Sequence, residues 1–246
     1  TNNVIEHNLV AMTRQSLALL HSDVTPASFW ITNPNNQWIN NHAAGSHKYG
    51  YWFDLETHPS GPSSTTDICP TGTPLGRFHG NTAHSNGRYG VRIFNFWYPR
   101  TIPCDSGGAF SYNPPVPANL TNHLSYKNGF SGMIVHRGGD IRFMNVLTAD
   151  NVRAGVEAAE IDSTGLNTAG VYNAVLVARS SGNPISDAEL SGGPVGVFAP
   201  QDENYTFSEI NFVNFDRTPY SAISTCSHCD FPNLKNHGAK RNPFEK

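Results

Sequence analysis

Two stretches of this chain read as copies of one pattern, and that repetition restricts the fold more than any single motif. Asn41-His-Ala-Ala-Gly-Ser-His-Lys-Tyr-Gly50 runs into the apolar Tyr-Trp-Phe53, and Asn81-Thr-Ala-His-Ser-Asn-Gly-Arg-Tyr-Gly90 runs into Val-Arg-Ile93. In both, an Asn stands nine residues before a Gly, an Ala follows the Asn by two, and a strand-like run resumes after the glycine. Looser copies lie at Asn128-Gly-Phe-Ser-Gly132 and Asn151-Val-Arg-Ala-Gly155. Gly50, Gly90, Gly132 and Gly155 fall 40, 42 and 23 residues apart. These intervals predict a unit the length of the last one, with loop insertions at 54–73 and 98–118 in the first two. A unit that short cannot bury an apolar face alone, so stacked units must share a core.

Local signals agree. Apolar residues come in short runs such as Ser28-Phe-Trp-Ile31, Val91-Arg-Ile-Phe94, Ile141-Arg-Phe-Met144 and Val171 to Val177, bounded by Gly, Asn, Pro or Ser. That is strand and turn chemistry. Helical character is confined to Met12–Leu20, where it is mixed, and to the alanines and glutamates of Asn151–Ile161. The expected fold is all-β, a right-handed parallel β-helix formed as a single domain over 1–246, with a C-terminal tail near 226–246. In it each glycine stands where a side chain would strike the next coil, and turn asparagines hydrogen-bond in ladders. An antiparallel sandwich is the structural alternative.

Composition narrows the partners. Only 14% of residues are charged, against about 25% in an average soluble domain, and the net charge is −3. Such a surface lacks the basic field that nucleic acid or an anionic membrane requires. With 14 Phe, 9 Tyr and 4 Trp, the chain has too much to bury for a solvated coil. No apolar run approaches a bilayer span and no signal peptide opens the sequence, whose strand-like start at Thr1 reads as excised from a longer chain. Four cysteines allow three pairings. Their spacing suggests a long loop closed by Cys69 and Cys104 and a tight one closed by Cys226 and Cys229. The rival for Cys226-Ser-His-Cys229 is half a zinc site with His228 and His237, but no second ligand knuckle is present. Sequons at Asn119 and Asn204, with the even cysteine count, favour an extracellular compartment.

A longer string then resembles a known family. Thr25-Pro-Ala-Ser-Phe-Trp-Ile-Thr-Asn-Pro-Asn-Asn36, Tyr49-Gly-Tyr-Trp-Phe53, Ile68-Cys-Pro70 and Asn81 to Phe94 are similar to the β-helix region of fibrocystin-like proteins and the related cell-surface hyaluronidases. The match runs from about Asn3 to Cys104. In that family the region follows a G8 domain, which is not recognisable in this sequence, and the resemblance implies a right-handed parallel β-helix in a secreted or membrane-anchored ectodomain. It implies no activity, because the matching string is common to receptor-like and hyaluronan-depolymerising branches.

Candidate chemistry is sparse. His84, Arg88 and Arg92 form the best cationic cluster, since Arg88 and Arg92 would share a strand face, with His123, His136 and Arg137 one or two coils on. Such a group suits an anionic sugar, with His84 as a base. Trp52 and Trp97 are candidate sugar-stacking platforms. Asp150, Glu157, Glu160 and Asp162 lie close enough in sequence to suggest a Ca²⁺ site, and Asp54 with His58 a loop pair. No paired-carboxylate signature of a glycosidase is evident. The expectation is an extracellular structural or recognition module that binds a glycan or protein at the cell surface or in matrix. A hyaluronidase-like depolymerase and a calcium-dependent adhesion module are the alternatives. The open ends of the solenoid are expected to self-associate or be covered by a partner.

Overall fold

In a computed structural model, residues 2–16, 24–105, 113–161, 168–181, 194–200 and 205–225 are described. They form nineteen strands in parallel ladders and no α-helix. Each early coil carries three strands: β1 (Val4–Glu6), β2 (Leu9–Ala11) and β3 (Ala27–Ile31), then β4 (Gln37–Ile39), β5 (His42–Ala44) and β6 (Tyr49–Asp54). The pattern continues with β7 (Arg77–His79), β8 (Thr82–His84) and β9 (Tyr89–Phe94), then β10 (Ala118–Thr121), β11 (Leu124–Tyr126) and β12 (Ser131–Gly138). The fifth coil holds β13 (Ile141–Met144), β14 (Leu147–Ala149) and β15 (Ala154–Ile161). In the last two coils one long strand replaces the first two: β16 (Gly170–Val177) with β17 (Val195–Ala199), and β18 (Thr206–Val213) with β19 (Ser221–Thr225).

The first strands of the coils stack into one face, the second strands into another, and the third strands into a seven-stranded sheet running β19-β17-β15-β12-β9-β6-β3. This is the expected β-helix. The shortest repeat, Gly132 to Gly155, is one uninterrupted coil. The two predicted insertions correspond to 55–76 and 95–117, between β6 and β7 and between β9 and β10. Cys69 and Cys104 join these two insertions in a disulfide, with Cα atoms 5.1 Å apart. Cys226 and Cys229 lie outside the described residues, as do Asn204, His228, His237 and Asp162.

Three kinds of column hold the register. The first is glycine. Tyr49 pairs with Tyr89, and Val91 with Met133, so Gly50, Gly90 and Gly132 lie one above another. Gly155 and Gly196 extend the column. A Cβ on Gly90 would stand 2.5 Å from the Gly132 carbonyl oxygen, a distance no side chain tolerates. The second is asparagine. Asn41 donates through its backbone N–H (2.9 Å) and Nδ2 (3.1 Å) to Oδ1 of Asn81 one coil on. Asn86 does the same to Asn128, and Asn128 to Asn151. These amides are buried, and each satisfies a backbone donor that the corner would otherwise orphan. The third is the left-handed corner residue, Asn40, Gly80, Asn122 and Asn145, all with φ between 52° and 66°. Asparagine and glycine adopt that conformation at least cost.

The interior between these corners is apolar. Phe29, Tyr51, Val91, Met133 and Val156 stack inward from the third strands, and Trp38, Phe78, Leu120 and Phe143 from the first. His123 ends the asparagine ladder, standing where the rung after Asn81 would carry an amide and followed by Val146. It lies among Phe78 and Tyr51, with ring centroids 5.4 and 6.0 Å away. Burial pushes its imidazole down to about 3. At the near end of the solenoid β1, β2 and β3 are edge strands, and Val4, Leu9 and Met12 of that coil are exposed.

Gly90→Ala should cost about 3 kcal/mol or more by overpacking a site bounded by backbone, read as a fall in the denaturation midpoint. A midpoint within experimental scatter of wild type would refute the column. His123 gives a pH prediction. Its folded pKa lies below the unfolded value near 6.5, so its contribution is intact above that pH and declines toward about 3 as the unfolded chain alone takes up a proton. Between pH 6.5 and 5 the loss is about 2 kcal/mol. His123→Asn, which continues the ladder, should remove that part of the acid sensitivity. Equal acid sensitivity in both proteins would contradict it.

Candidate functional site

The outward surface of the seven-stranded sheet carries a dense group of aromatic and cationic side chains. Strand alternation puts Tyr51 and Phe53 inside and Trp52 and Asp54 outside, while Tyr49 also turns outward ahead of the Gly50 bend. In register across the sheet run Trp30, Trp52, Arg92, Ile134, Glu157 and Phe198. A second register brings Asp54, Phe94 and His136 side by side.

Parallel stacking then sets the geometry. Trp30 lies on Trp52 with ring centroids 5.0 Å apart and planes 14° from parallel. Trp30 is 41% exposed and Trp52 only 7%, so the outer indole covers the inner. Asp54 Oδ2 accepts from the Trp30 indole N–H at 3.1 Å and fixes that ring. Arg92 is enclosed by rings, its Cζ lying 4.7 Å from the Tyr49 centroid, 5.2 Å from Trp52 and 4.1 Å from Phe94. These are cation–π contacts. Among the described residues no side chain or backbone oxygen accepts a hydrogen bond from this guanidinium. Burial pulls its pKa down, with Tyr49, Tyr89 and Asp54 opposing. Arg92 is therefore held by its faces, and its hydrogen-bonding edge is unspent among the described residues.

Around it, Tyr89 stacks on Tyr49 at 6.0 Å, and burial raises its phenol to about 12. The exposed Arg88 and the half-buried Lys48 begin the same two coils, joined by the Arg88 N–H to Lys48 carbonyl bond of 2.8 Å. Arg88, whose charge acts on both Tyr89 and Arg92, thus adds to the cationic character of this surface. Further along, Glu157 faces outward yet is wholly covered. Its Oε1 accepts from Ser131 Oγ and from Arg153 Nε at 3.1 Å, while Oε2 has no partner. Arg153 lies between the Phe130 and Phe198 rings, 5.0 and 4.9 Å from their centroids. Burial raises the Glu157 pKa, and Arg153 and Ser131 oppose this.

The expected residues are distributed differently from the sequence reading. Arg88 and Arg92 do lie together. His84 does not join them: it sits on β8, on another face, stacked on Tyr126 at 4.6 Å. Partial burial is the main reason its pKa is lowered, with His42 and Lys127 adding to it. His136 shares the Arg92 surface, edge-on to Phe94 at 5.0 Å, and burial lowers its pKa. Arg137 instead pairs with Glu160 at 2.7 Å, and His123 is interior. Trp97 is a correction. It is 0% exposed, stacked on Phe53 and donating its indole N–H to the Thr73 carbonyl at 2.9 Å, so it offers a ligand no surface. The supposed calcium ligands also part company. Asp150 accepts from Ser180, Glu160 pairs with Arg137 and Glu157 is enclosed, and no three metal-ligating side chains converge among the described residues. Asp54 is held by Trp30, while His58 contacts Cys69. Sequence reasoning singled out neither the cage of Tyr49 and Phe94 around Arg92 nor the Phe130–Arg153–Phe198 stack, since both need register between coils.

Arg153→Ala should strand the Glu157 carboxylate in a covered position and cost about 2–3 kcal/mol. Adding Glu157→Gln should restore most of that loss. A double variant no more stable than the single one would contradict the coupling.

Residues 1–91 match the CEMIP β-helix family model. The chain is 35% identical to mouse fibrocystin-L over 230 residues, covering 92% of this chain and 5% of that protein. Human fibrocystin-L gives 34% over the same extent. The human cell surface hyaluronidase CEMIP2 is 36% identical over 143 residues, 51% of this chain and 10% of that protein. The human cell migration-inducing and hyaluronan-binding protein is 33% identical over 144 residues.

Proposed function

Starting from a chain that belongs to the β-helix family of fibrocystin-L and the CEMIP proteins, we propose that it is an extracellular recognition module for an anionic polysaccharide. The binding surface is the outer face of the seven-stranded sheet. The observation that carries this reading is Arg92: a guanidinium caged by three rings, with Asp54 acting on it only at longer range and no hydrogen bond or ion pair among the described residues, is prepared for a ligand carboxylate, which it can meet with two parallel N–H bonds. Trp30 supplies an exposed ring for a sugar face, and Arg88 and Lys48 add charge along the polymer. The names of the relatives point the same way, since one is a hyaluronan-binding protein and others are cell surface hyaluronidases. The chain spans only 5% of fibrocystin-L, so the surface is read here as one part of a larger protein's work. Among the described residues no helix is long and apolar enough to cross a membrane.

Recognition is favoured over hydrolysis by the spacing of carboxylates. Asp54 on β6 and Glu157 on β15 are three strand steps apart, about 14 Å at the usual interstrand spacing. Glycosidases hold their pair within about 5–9.5 Å, Glu157 is covered besides, and Glu56, the carboxylate whose charge acts on Asp54, lies exposed at the start of the first insertion.

Titration calorimetry with hyaluronan fragments and with a polyuronate tests the proposal. Arg92→Ala should weaken binding at least tenfold, and Trp30→Ala by a smaller factor, while Arg137→Ala should leave it unchanged. Affinity should fall as salt rises. Absence of binding to every carboxylated polymer, or binding indifferent to Arg92, would overturn the reading. Shortening of the polymer during the titration would instead establish a depolymerase.

A further inference from the structure

We infer that Asn119 carries an N-linked oligosaccharide, and that this sugar covers the face of the solenoid formed by β1, β4, β7, β10, β13 and β16. Asn119-Leu120-Thr121 satisfies the acceptor pattern, but the pattern alone is common. Placement distinguishes this asparagine from the others. The ladder asparagines Asn41, Asn81, Asn86, Asn128 and Asn151 are buried with their amides engaged in the corners. Asn119 is exposed, and its side-chain amide makes no hydrogen bond among the described residues. Its neighbours Ala118 and Leu120 are fully buried, so alternation points the Asn119 side chain straight out of the sheet. β10 is paired on both sides, with β7 and β13, and the backbone is complete without that amide. A sugar there disturbs neither ladder nor core.

The chemistry is a group transfer. The Asn119 side-chain nitrogen attacks the anomeric carbon of an oligosaccharide carried on a lipid diphosphate. The carbon–oxygen bond to the diphosphate breaks, a carbon–nitrogen bond forms, the amide loses one proton, and the lipid diphosphate leaves. The secretory compartment supplies that donor, and the Cys69–Cys104 disulfide and the cell-surface relatives accord with passage through it. Timing follows from Thr121. Its Oγ1 is within hydrogen-bonding distance of the Phe78 carbonyl (3.2 Å) and His79 Nδ1 (2.8 Å) once β10 lies against β7. A transferase that must grip both Asn119 and Thr121 therefore acts before this coil closes.

Location gives the modification a consequence. In register with Asn119 stand Arg77 on β7 and Arg142 on β13, and Arg142 is already tied to Asp140 at 2.7 Å. The sugar spreads over this polar face and away from the sheet that carries Arg92 and Trp30. It blocks lateral packing on one side and leaves the aromatic surface open.

The test is the intact mass of the Asn204→Gln protein secreted by a eukaryotic cell, in which Asn119 is the one remaining sequon. A mass excess is expected that peptide-N-glycosidase removes, leaving Asp at 119, and that the Asn119→Gln, Asn204→Gln protein lacks. A secreted protein of bare polypeptide mass would overturn the assignment. Should Asn204→Gln fail to be secreted, deglycosylation of the wild-type protein in heavy-oxygen water reports on the peptide spanning Asn119, and an unlabelled Asn119 there is equally fatal. Hyaluronan affinity before and after enzymatic deglycosylation tests the face. Values within twofold are expected, and a tenfold change would place the sugar against the aromatic surface. The mass measurement does not depend on whether any polymer binds.

Discussion

The structure depends on one constraint: each coil must lie directly over the last, in register, because its backbone donors are satisfied only by its neighbour. Asparagine enforces this over several coils at two corners, and at the third between Asn3 and Asn36. One Oδ1 accepts from both the backbone and the side-chain amide of the preceding coil, so slipping by a single residue would unmake two bonds per rung and bury an unpaired donor. Glycine enforces it in the third strand, where carbonyl oxygens approach to distances that admit no Cβ. Apolar stacking supplies most of the free energy, but it tolerates more than one register. The polar columns choose among registers.

The aromatic and cationic surface is a by-product of the same stacking. Parallel in-register strands place like positions side by side, so the indoles of Trp30 and Trp52 stack and the next rung sets Arg92 against the second of them. No loop is needed to assemble the cage. The three faces consequently differ in character by sequence column alone: aromatic and cationic on the seven-stranded sheet, polar where Arg77, Asn119 and Arg142 align, and more apolar along Leu124, Leu147 and Val175.

Much of this is legible in the sequence. The Asn-to-Gly spacing predicted the coil, the glycine column and the two insertions, because a solenoid writes its geometry into intervals rather than into local propensity. Asn151–Ile161 shows the limit of propensity. Its alanines and glutamates suggest a helix, yet Ala154–Ile161 is β15, held between two strands with Ala158 in the core. The site was half legible. Arg88 and Arg92 lie close enough for their charges to interact, although Arg88 precedes β9 and the bend at Gly90 breaks the simple alternation between them. His84 was misplaced because a corner at Ser85 and Asn86 turns the chain onto a different face, and sequence distance does not register that turn. Trp97 was misread for a related reason: it leaves β9 by way of Asn95 and turns back under the insertion, where Phe53 and Thr73 enclose it.

Native-state hydrogen exchange measured amide by amide tests the central claim most directly. If the asparagine columns fix the stack, the backbone N–H groups of Ser46, Asn86 and Asn128, which donate to Oδ1 atoms one coil on, should exchange only through global unfolding and rank with the slowest in the molecule. Fast exchange of these three, while amides of the neighbouring strands remain protected, would show that the coils are held by something other than these corners.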